Sequence, residues 1–251
     1  GCRSTGQVDL NFGQRPFEFT KPTGYKSLCT QNLPVPTIKD GTKYFNTILY
    51  EGNSTDARAI TGVGFGPNLV WIKNRDDSDW HNIYDTVRGA GKRIAANSTS
   101  VESASTDHMD SIDADGFTLK DGDNTNQNNE SYVAWNWKES ATAGFDIVSY
   151  TGNGSGPRTI SHGLGVKPEM IIIKNREQIT NWITYHKDIG AEKFVYLNTD
   201  AIQMDDAAAW NDTEPTSSVF TVNADQQNNG DGDDIIAYLF ASVEGYSKVG
   251  S

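Results

Sequence analysis

The chain has 251 residues, of which 33 are acidic and 21 are basic, and its formal net charge is -12 at pH 7. Such an acidic surface repels phosphate groups, which argues against nucleic acid and anionic membranes as partners of the surface as a whole. No apolar run approaches the roughly 20 residues that cross a bilayer, and the first residues lack the apolar stretch of a signal peptide, so we predict no membrane insertion.

The first part of the chain is rich in proline and poor in apolar runs. Its four prolines are Pro16, Pro22, Pro34 and Pro36. Because proline fixes φ and removes a backbone donor, we predict that residues 13–43 form an extended linker with little secondary structure. The two cysteines, Cys2 and Cys29, do not have metal-site spacing, and the sequence leaves open whether they are bonded.

After the linker, the chain repeats itself. The string "GVGFGPNLVWIKNR" matches "GLGVKPEMIIIKNR" about 100 residues later, which places Lys73 opposite Lys174. "TILYEGN" likewise matches "IVSYTGN", and further along we align Trp80 with Trp182. We therefore predict two copies of one domain, called repeat 1 (residues 44–141) and repeat 2 (residues 142–251) below.

Each repeat shows the pattern of short strands. Runs of four to seven residues rich in Ile, Val, Tyr, Trp and Thr alternate with Gly, Asn, Asp and Pro clusters, and the best helix candidate is a short stretch at 200–210. "LVWI" and "MIII" are predicted to be central strands buried on both faces, with the following Lys-Asn-Arg at the strand end, paired with acidic residues. The predicted fold is all-β: two tandem β-sandwich, jelly-roll-like repeats preceded by an extended linker.

The sequence offers no constellation typical of an active site. The four histidines are not spaced as metal ligands or as partners of a nucleophile, and "RGAGKR" departs from a phosphate-binding loop. Two carboxylates of a glycosidase can come from any two strands and leave no local motif. We predict that the chain is not an enzyme, with a glycan depolymerase as the last-ranked alternative.

Acidic loops are the best candidates for a metal site. Asp121 and Asp123 lie in one loop of repeat 1, and Asp231 and Asp233 lie in the matching loop of repeat 2. Calcium prefers several oxygen ligands, but the spacing does not fit an EF-hand, and such loops are usually solvated turns. We expect no cofactor, with calcium as the metal that these loops would suit.

Aromatic residues next to strand ends suggest a second kind of site. Sugar rings stack on aromatic side chains, and the candidates for such a glycan site are Trp80, His81, Trp182 and Tyr185. The competing interpretation is that these rings pack over the edge of each sandwich. A carbohydrate-binding, lectin-like module is therefore an alternative function.

The combined motifs resemble a known family. "NFGQRPF" followed by "PTGYKSLCTQNLP", then "YEGN", "DTVRGAGKRIAANST", "YVAWNWK" and "AYLFASVEGYSKVGS", is similar to the tandem β-repeat segments of tail-fibre and related virion proteins of marine bacteriophages. That family has no settled biochemical function. Cys29 departs from the expected pattern, so the resemblance carries no thiol chemistry.

The resemblance implies several further expectations. Residues 1–12 look like the end of a preceding lectin-like domain, and the chain looks like a fragment of a longer fibre protein. The implied function is a structural module of a phage virion, in a tail fibre, spike or capsid fibre, which contributes to host attachment. The implied location is the virion, extracellular, and the implied partners are copies of itself in a homotrimer, other virion proteins and a host surface glycan.

Overall fold

The structure, a computed structural model, describes residues 11, 15–20, 22–27, 36–104 and 107–250. It is all-β, with 37% of the residues in strands and 8% in helices, which confirms the predicted fold class. All strand pairs are antiparallel. No helix in the described part of the chain is long and apolar enough to cross a membrane.

In its described residues, repeat 1 contains nine strands and one short helix. The strands are β1 (Phe45–Glu51), β2 (Arg58–Thr61), β3 (Leu69–Asn74), β4 (Asn82–Asp85), β5 (Lys92–Ala95), β6 (Ser103–Ala104), β7 (Met109–Asp113), β8 (Gly116–Leu119) and β9 (Ser131–Trp137), and helix α1 spans Asp123–Asn126. A six-stranded sheet has the order β1-β9-β3-β4-β5-β6, and a three-stranded sheet has the order β2-β8-β7.

Repeat 2 has the same large sheet. Its strands are β10 (Phe145–Thr151), β11 (Arg158–Ser161), β12 (Met170–Asn175), β13 (Ile183–His186), β14 (Lys193–Tyr196), β15 (Met204–Asp205), β16 (Val219–Val222) and β17 (Asp234–Phe240), with helices α2 (Ala207–Trp210) and α3 (Gln226–Asn229). The order β10-β17-β12-β13-β14-β15 reproduces that of repeat 1. Lys73 in β3 and Lys174 in β12 therefore occupy equivalent strands.

The small sheets differ between the repeats. Repeat 2 pairs only β11 with β16, and helix α2 follows β15 where repeat 1 has strand β7. The run of alanines in α2 favours a helix, and Asp206 caps it by accepting a hydrogen bond from the Ala208 backbone N–H. The helix lies within the stretch at 200–210 that the sequence analysis singled out.

Each repeat buries its own core between its large and small sheets. The core of repeat 1 joins Val70 and Ile72 of the large sheet to Phe117 and Leu119 of the small one. In repeat 2, Ile171 and Ile173 pack with Phe220 in the same way. Because side chains alternate along a strand, the remaining residues of these central strands point to the opposite face of the large sheet.

The opposite faces of the two large sheets pack against each other. One apolar cluster contains Leu69 and Ile83 of repeat 1 together with Ile172, Trp182 and Tyr238 of repeat 2. The predicted central strands are thus buried on both sides, by the sandwich core on one and by the other repeat on the second. The order of layers is small sheet, large sheet, large sheet, small sheet.

The linker prediction can be compared with the structure only in part, because residues 13–14, 21 and 28–35 lie outside the described residues. Residues 1–10 and 12, predicted to end a preceding domain, also lie outside them, as do both Cys2 and Cys29. In the described part, a turn closes with a hydrogen bond from the Tyr25 N–H to the Pro22 carbonyl. A 3₁₀ helix spans Gly41–Lys43, and the matching helix Ala141–Ala143 precedes β10. The repeated unit thus includes this helix, whereas the sequence analysis began repeat 1 at residue 44.

Candidate functional site

A pocket of about 430 Å³ lies at one end of the interface between the repeats. Its aromatic lining consists of Tyr44, Phe45, Trp137, Phe145, Phe240 and Tyr246. Met170, Ala143 and Ala241 add further apolar surface. Pockets of this size with an apolar lining and a few polar groups are typical of small-molecule sites.

Strand register explains why these rings meet. Phe45 pairs with Trp137 across β1 and β9, and Phe145 pairs with Phe240 across β10 and β17, so each repeat contributes one pair from the same end of its sheet. The ring centroids of Phe45 and Trp137 are 4.9 Å apart, those of Trp137 and Phe145 are 6.4 Å apart, and those of Phe145 and Phe240 are 5.0 Å apart. The pocket is therefore built on rigid sheet positions.

One wall of the pocket comes from residues 246–250, after the last strand. The Tyr246 ring meets Tyr44 edge-on at 6.3 Å, and a Cβ added to Gly41 would lie 2.9 Å from the Tyr246 ring, so this close approach requires glycine. The Val249 N–H donates a 2.9 Å hydrogen bond to the Ser242 hydroxyl, which in turn donates to Glu169. The Tyr246 ring thus lies against the start of repeat 1, and the hydrogen bonds attach the wall to repeat 2.

The polar groups of the pocket are basic or neutral. Lys138 and Lys248 are exposed lining residues, and neither forms an ion pair with a described residue. His186 also lines the pocket, and its Nδ1 accepts a 3.2 Å hydrogen bond from the Asp188 backbone N–H. In the neutral ring the proton then resides on Nε2, which is a donor. The pocket combines an apolar interior with cationic side chains in an otherwise acidic protein.

The comparison with known families covers both repeats. A family model described as a domain of unknown function (DUF7483) matches residues 40–251. The chain belongs to this family. The match starts one residue before the 3₁₀ helix Gly41–Lys43 and spans both sandwiches, so the DUF7483 unit is the pair of repeats with the pocket between them. No curated protein and no solved structure gives a significant match to the chain.

Two of the predicted glycan residues of this DUF7483 domain are buried. Trp182 is 0% exposed, and its indole N–H donates a 2.9 Å hydrogen bond to the carbonyl of Ala95 in repeat 1. Tyr185 is also 0% exposed and donates to Glu214 at 2.6 Å. Neither ring offers a face to a sugar, so the surface role expected for both residues is wrong: Trp182 packs between the repeats, and Tyr185 packs in the core of repeat 2.

The other two predicted glycan residues lie nearer the surface. Trp80 is 40% exposed, and the guanidinium of Arg93 lies 4.7 Å from its ring centroid. His81 is partly buried and accepts a 3.1 Å hydrogen bond at Nδ1 from the indole N–H of Trp71. Desolvation, and secondarily the charge of Lys73, lowers the pKa of His81, which favours the neutral ring.

The structure also corrects the alignment of the tryptophans. Trp182 directly precedes β13 and His81 directly precedes β4, the equivalent strand. Their backbone N–H groups make matching hydrogen bonds, to Asn198 at 2.9 Å and to Asn97 at 3.0 Å. Trp182 is thus the counterpart of His81, one position from the predicted partner Trp80.

The four candidate calcium ligands do not converge. In the described part of the chain, no group of three or more His, Cys, Asp or Glu residues is placed to hold a metal ion. Asp121, Asp123 and Asp231 are exposed. Asp233 is buried, and its carboxylate accepts hydrogen bonds from Asn175 at 2.8 Å and from Gln178 at 3.0 Å. Of the four candidate ligands, only Asp233 is buried, and side-chain amides rather than a metal ion are its partners.

A buried ionic network joins the repeats, and sequence reasoning did not identify it. Arg88 is paired with Asp85 at 2.5 Å and with Glu102 at 3.2 Å. Glu102 also accepts two hydrogen bonds from Arg176 of repeat 2, at 2.8 and 2.9 Å. Tyr238 of repeat 2 donates to Asp85 at 2.7 Å. These groups fix the position of one large sheet on the other.

The repeated Tyr-x-Gly-Asn string supports a structural brace in each repeat. Buried Asn126, at the end of α1, accepts hydrogen bonds at Oδ1 from the Asn53 N–H at 3.0 Å and from Arg58 at 2.8 Å. Asn229, at the end of α3, accepts from the Asn153 N–H at 3.1 Å in the same way. This brace explains why the string occurs in both repeats without a ligand.

The lysines of the Lys-Asn-Arg motif have a comparable structural role. Lys174 is 0% exposed and donates to the carbonyls of Asn175 and Gln178 at 2.7 and 3.1 Å. Lys73 donates to the Asn74 carbonyl and, at 2.6 Å, to that of Asp77. Burial lowers the pKa of Lys174 to about 8. The expected pairing with carboxylates is therefore wrong for both lysines, which instead hold the loop after the strand.

The pocket residues were missed because no local string identifies them. Phe45 and Trp137 lie at opposite ends of the sequence of repeat 1, and Tyr246 lies after the last strand. The available signal was positional: an aromatic residue starts the first strand and ends the last strand of each repeat. Antiparallel pairing brings these two ends together.

Proposed function

We propose that this DUF7483 domain is a structural module of a phage virion, in a tail fibre, spike or capsid fibre, which contributes to attachment to the host surface. The resemblance of its repeated motifs to virion proteins supports this role. The observation that carries the proposal is the buried ionic network between the repeats, from Asp85 to Arg176. A rigid pair of sandwiches suits a part that must transmit force without bending.

The location is tested by imaging whole particles with an antibody raised against residues 40–250. Labelling at tail fibres or spikes supports attachment, and labelling along the capsid supports a capsid fibre. Antibody signal that remains entirely in the particle-free fraction would contradict a virion role. Particles disrupted with detergent and chaotrope serve as the control for epitopes that are hidden in the assembled virion.

The proposal includes self-association, with a homotrimer as the expected state. Exposed edge strands are commonly covered by symmetric assembly, and β1 is an edge strand of seven residues in the large sheet of repeat 1. The net charge of -12 opposes close approach, so the contact should be local and apolar. Sedimentation of the intact protein at micromolar concentration decides the question: a monomer contradicts assembly, and a dimer contradicts the trimer.

A carbohydrate-binding role is the second candidate, favoured by a partly exposed region of the large sheet of repeat 1 next to the contact between the repeats. Trp71 and Trp135 pair across β3 and β9 with ring centroids 6.2 Å apart, and Trp71 holds His81 in place. Leu49, on the edge strand β1, is 63% exposed. Indole rings with a nearby imidazole donor are groups that bind sugars through stacking and hydrogen bonding.

This second role is tested by titrating the protein with host surface glycan. Saturable binding that Trp135→Ala abolishes, while Trp80→Ala does not, supports a glycan site on the sheet. The reverse result would place the site at the exposed Trp80, as the sequence suggested. In either case we expect no release of reducing ends, and measurable release would support the depolymerase alternative instead.

A further inference from the structure

The pocket between the repeats has a chemistry that the virion role does not require. Six aromatic rings converge there from strands of both repeats, from Tyr44 just before β1 and from residues 246–250. A structural interface would be expected to fill such a space with side chains, because well-packed interiors leave few voids larger than a water molecule. An opening of about 430 Å³ instead provides room for a molecule the size of a small drug.

We propose that this pocket binds an amphiphilic small molecule with an apolar, ring-containing or branched body and one anionic group. The body packs against Trp137, Phe145 and Phe240. The anionic group lies at the mouth, near Lys138 and Lys248. The ligand class thus comprises aromatic and alicyclic carboxylates, sulfates and phosphates.

The charge of the ligand follows from the groups that surround it. Lys138 and Lys248 are basic side chains, and neither has a carboxylate partner among the described residues. His186 adds a donor at Nε2, because its Nδ1 already accepts a backbone N–H. No Asp or Glu is among the lining residues in the described part of the chain, and the carboxylate of Asp188 lies 3.8 Å from the His186 Nδ1. In a chain of net charge -12, a site with two unpaired lysines and no carboxylate is complementary to an anion.

The apolar body follows from the interior. Aromatic rings present flat faces, and those of Phe145 and Phe240 are tilted by 34° to one another, which leaves a wedge rather than a filled stack. Met170 lines the same space, and its flexible side chain adapts to guests of different shape. A sugar, which needs many hydrogen-bonding partners, fits this lining poorly. The ligand class is therefore distinct from the glycan considered above.

The test uses anilinonaphthalene sulfonate as an anionic probe and phenylnaphthylamine as a neutral probe with the same ring system. We expect the intact protein to bind one sulfonate probe per chain with a saturable rise in fluorescence. The double variant Lys138→Glu, Lys248→Glu should weaken sulfonate binding about tenfold and leave the neutral probe unchanged, since only the charge at the mouth is reversed. The control variant is Arg75→Glu, which reverses the charge of an exposed residue away from the pocket. The pocket residues Phe45 and Trp137 lie in the same row of the sheet as Leu69, at the start of β3, whereas Arg75 follows the other end of that strand.

A second measurement places the probe in the pocket without disturbing the fold. Trp137 lines the pocket and transfers excitation to a bound naphthalene, so Trp137→Phe should reduce the energy-transfer signal. Trp80→Phe, at an exposed position outside the lining, should leave that signal nearly unchanged. Circular dichroism of each variant confirms that the fold is retained.

Four outcomes would overturn the proposal. One is the absence of saturable binding to the folded protein. Another is a sulfonate probe that, like the neutral probe, binds the lysine double variant as tightly as it binds the wild type. The third is energy transfer that falls with Trp80→Phe and not with Trp137→Phe. If sedimentation shows that the probe displaces a second copy of the chain from this face, the pocket is a protein interface and the small-molecule proposal is wrong.

Discussion

The phenol of Tyr238 in repeat 2 donates a 2.7 Å hydrogen bond to the carboxylate of Asp85 in repeat 1, across the contact between the two large sheets. Both residues are buried, and Asp85 is also paired with Arg88. Burial raises the pKa of Tyr238 well above its usual value, which keeps the phenol protonated as a donor. The contact therefore couples the folding of one repeat to that of the other.

Tyr238→Phe removes this donor and keeps the ring. We expect the free energy of unfolding to fall by about 1–2 kcal/mol, because a hydrogen bond to a buried charge is lost while Arg88 still pairs with Asp85. Chemical denaturation measures the change, and Tyr25→Phe, at a tyrosine that is 73% exposed, is the matched control. Equal stability of Tyr238→Phe and the wild type would show that the bond does not hold the repeats together.

Glu102→Gln tests the ionic part of the same interface. Glu102 is the only carboxylate in the described residues that Arg88 and Arg176 share, so its neutralisation removes one of the two counter-charges of each guanidinium and leaves Asp85 with Arg88 and Asp234 with Arg176. We expect a loss of about 2–4 kcal/mol, as for other buried pairs that lose one partner. Glu51→Gln, at an exposed strand end, is the control for a change in net charge.

The effect of Glu102→Gln should also depend on pH. Burial pushes the pKa of Glu102 up, but hydrogen bonds and charges from Arg176 and Arg88 outweigh it and hold the pKa below its usual value. A carboxylate with a lowered pKa stabilises the folded state above its unfolded pKa, and this contribution disappears as the pH falls through the folded value. The wild type and the variant should therefore converge in strongly acidic buffer. A constant difference down to the acid limit would contradict this account.

Glu139→Gln should have the opposite pH dependence. Burial, together with the neighbouring Asp146 carboxyl, raises the pKa of Glu139 to about 7. A group with a raised pKa contributes stability below its unfolded pKa, about 4.5, and loses that contribution as the pH rises through the folded value.

We therefore expect the variant to gain on the wild type between about pH 4.5 and pH 7, by on the order of 1 kcal/mol after solvent screening. Thermal denaturation across this range measures the difference. Glu244→Gln, at an exposed glutamate, supplies the control for the loss of one charge. A difference that stays flat with pH would show that burial and the neighbouring Asp146 do not raise the pKa of Glu139.

The sequence was sufficient for the repeat and for the fold class, and the reason is local. Lys73 and Lys174 follow short apolar runs typical of strands buried on both faces, and the matched strings occur in the same order along both repeats. Trp182 shows where local reasoning fails, because a ring before a strand can point to solvent or to a neighbour. Only the packing of repeat 1 on repeat 2 decides this, and the aromatic pocket depends on the same packing.

Asn229→Ala tests whether the repeated Tyr-x-Gly-Asn string is a structural brace. The Asn229 amide donates to the Asn153 side chain, Ser155 carbonyl and Asn223 carbonyl, at 3.0, 2.8 and 2.9 Å, and it is 0% exposed. Truncation removes the Asn229 side chain from the Ser155 and Asn223 carbonyls and from the Asn153 N–H, and it empties a fully buried site, while the Asn153 side-chain oxygen still accepts from the Ser155 N–H. We expect a loss of about 2–4 kcal/mol in the free energy of unfolding.

Asn128→Ala, at an exposed asparagine of the matching loop in repeat 1, should change stability by less than about 0.5 kcal/mol. Comparable losses for the two variants would mean that the string is not held by the buried asparagine, and its recurrence would then need a ligand to explain it.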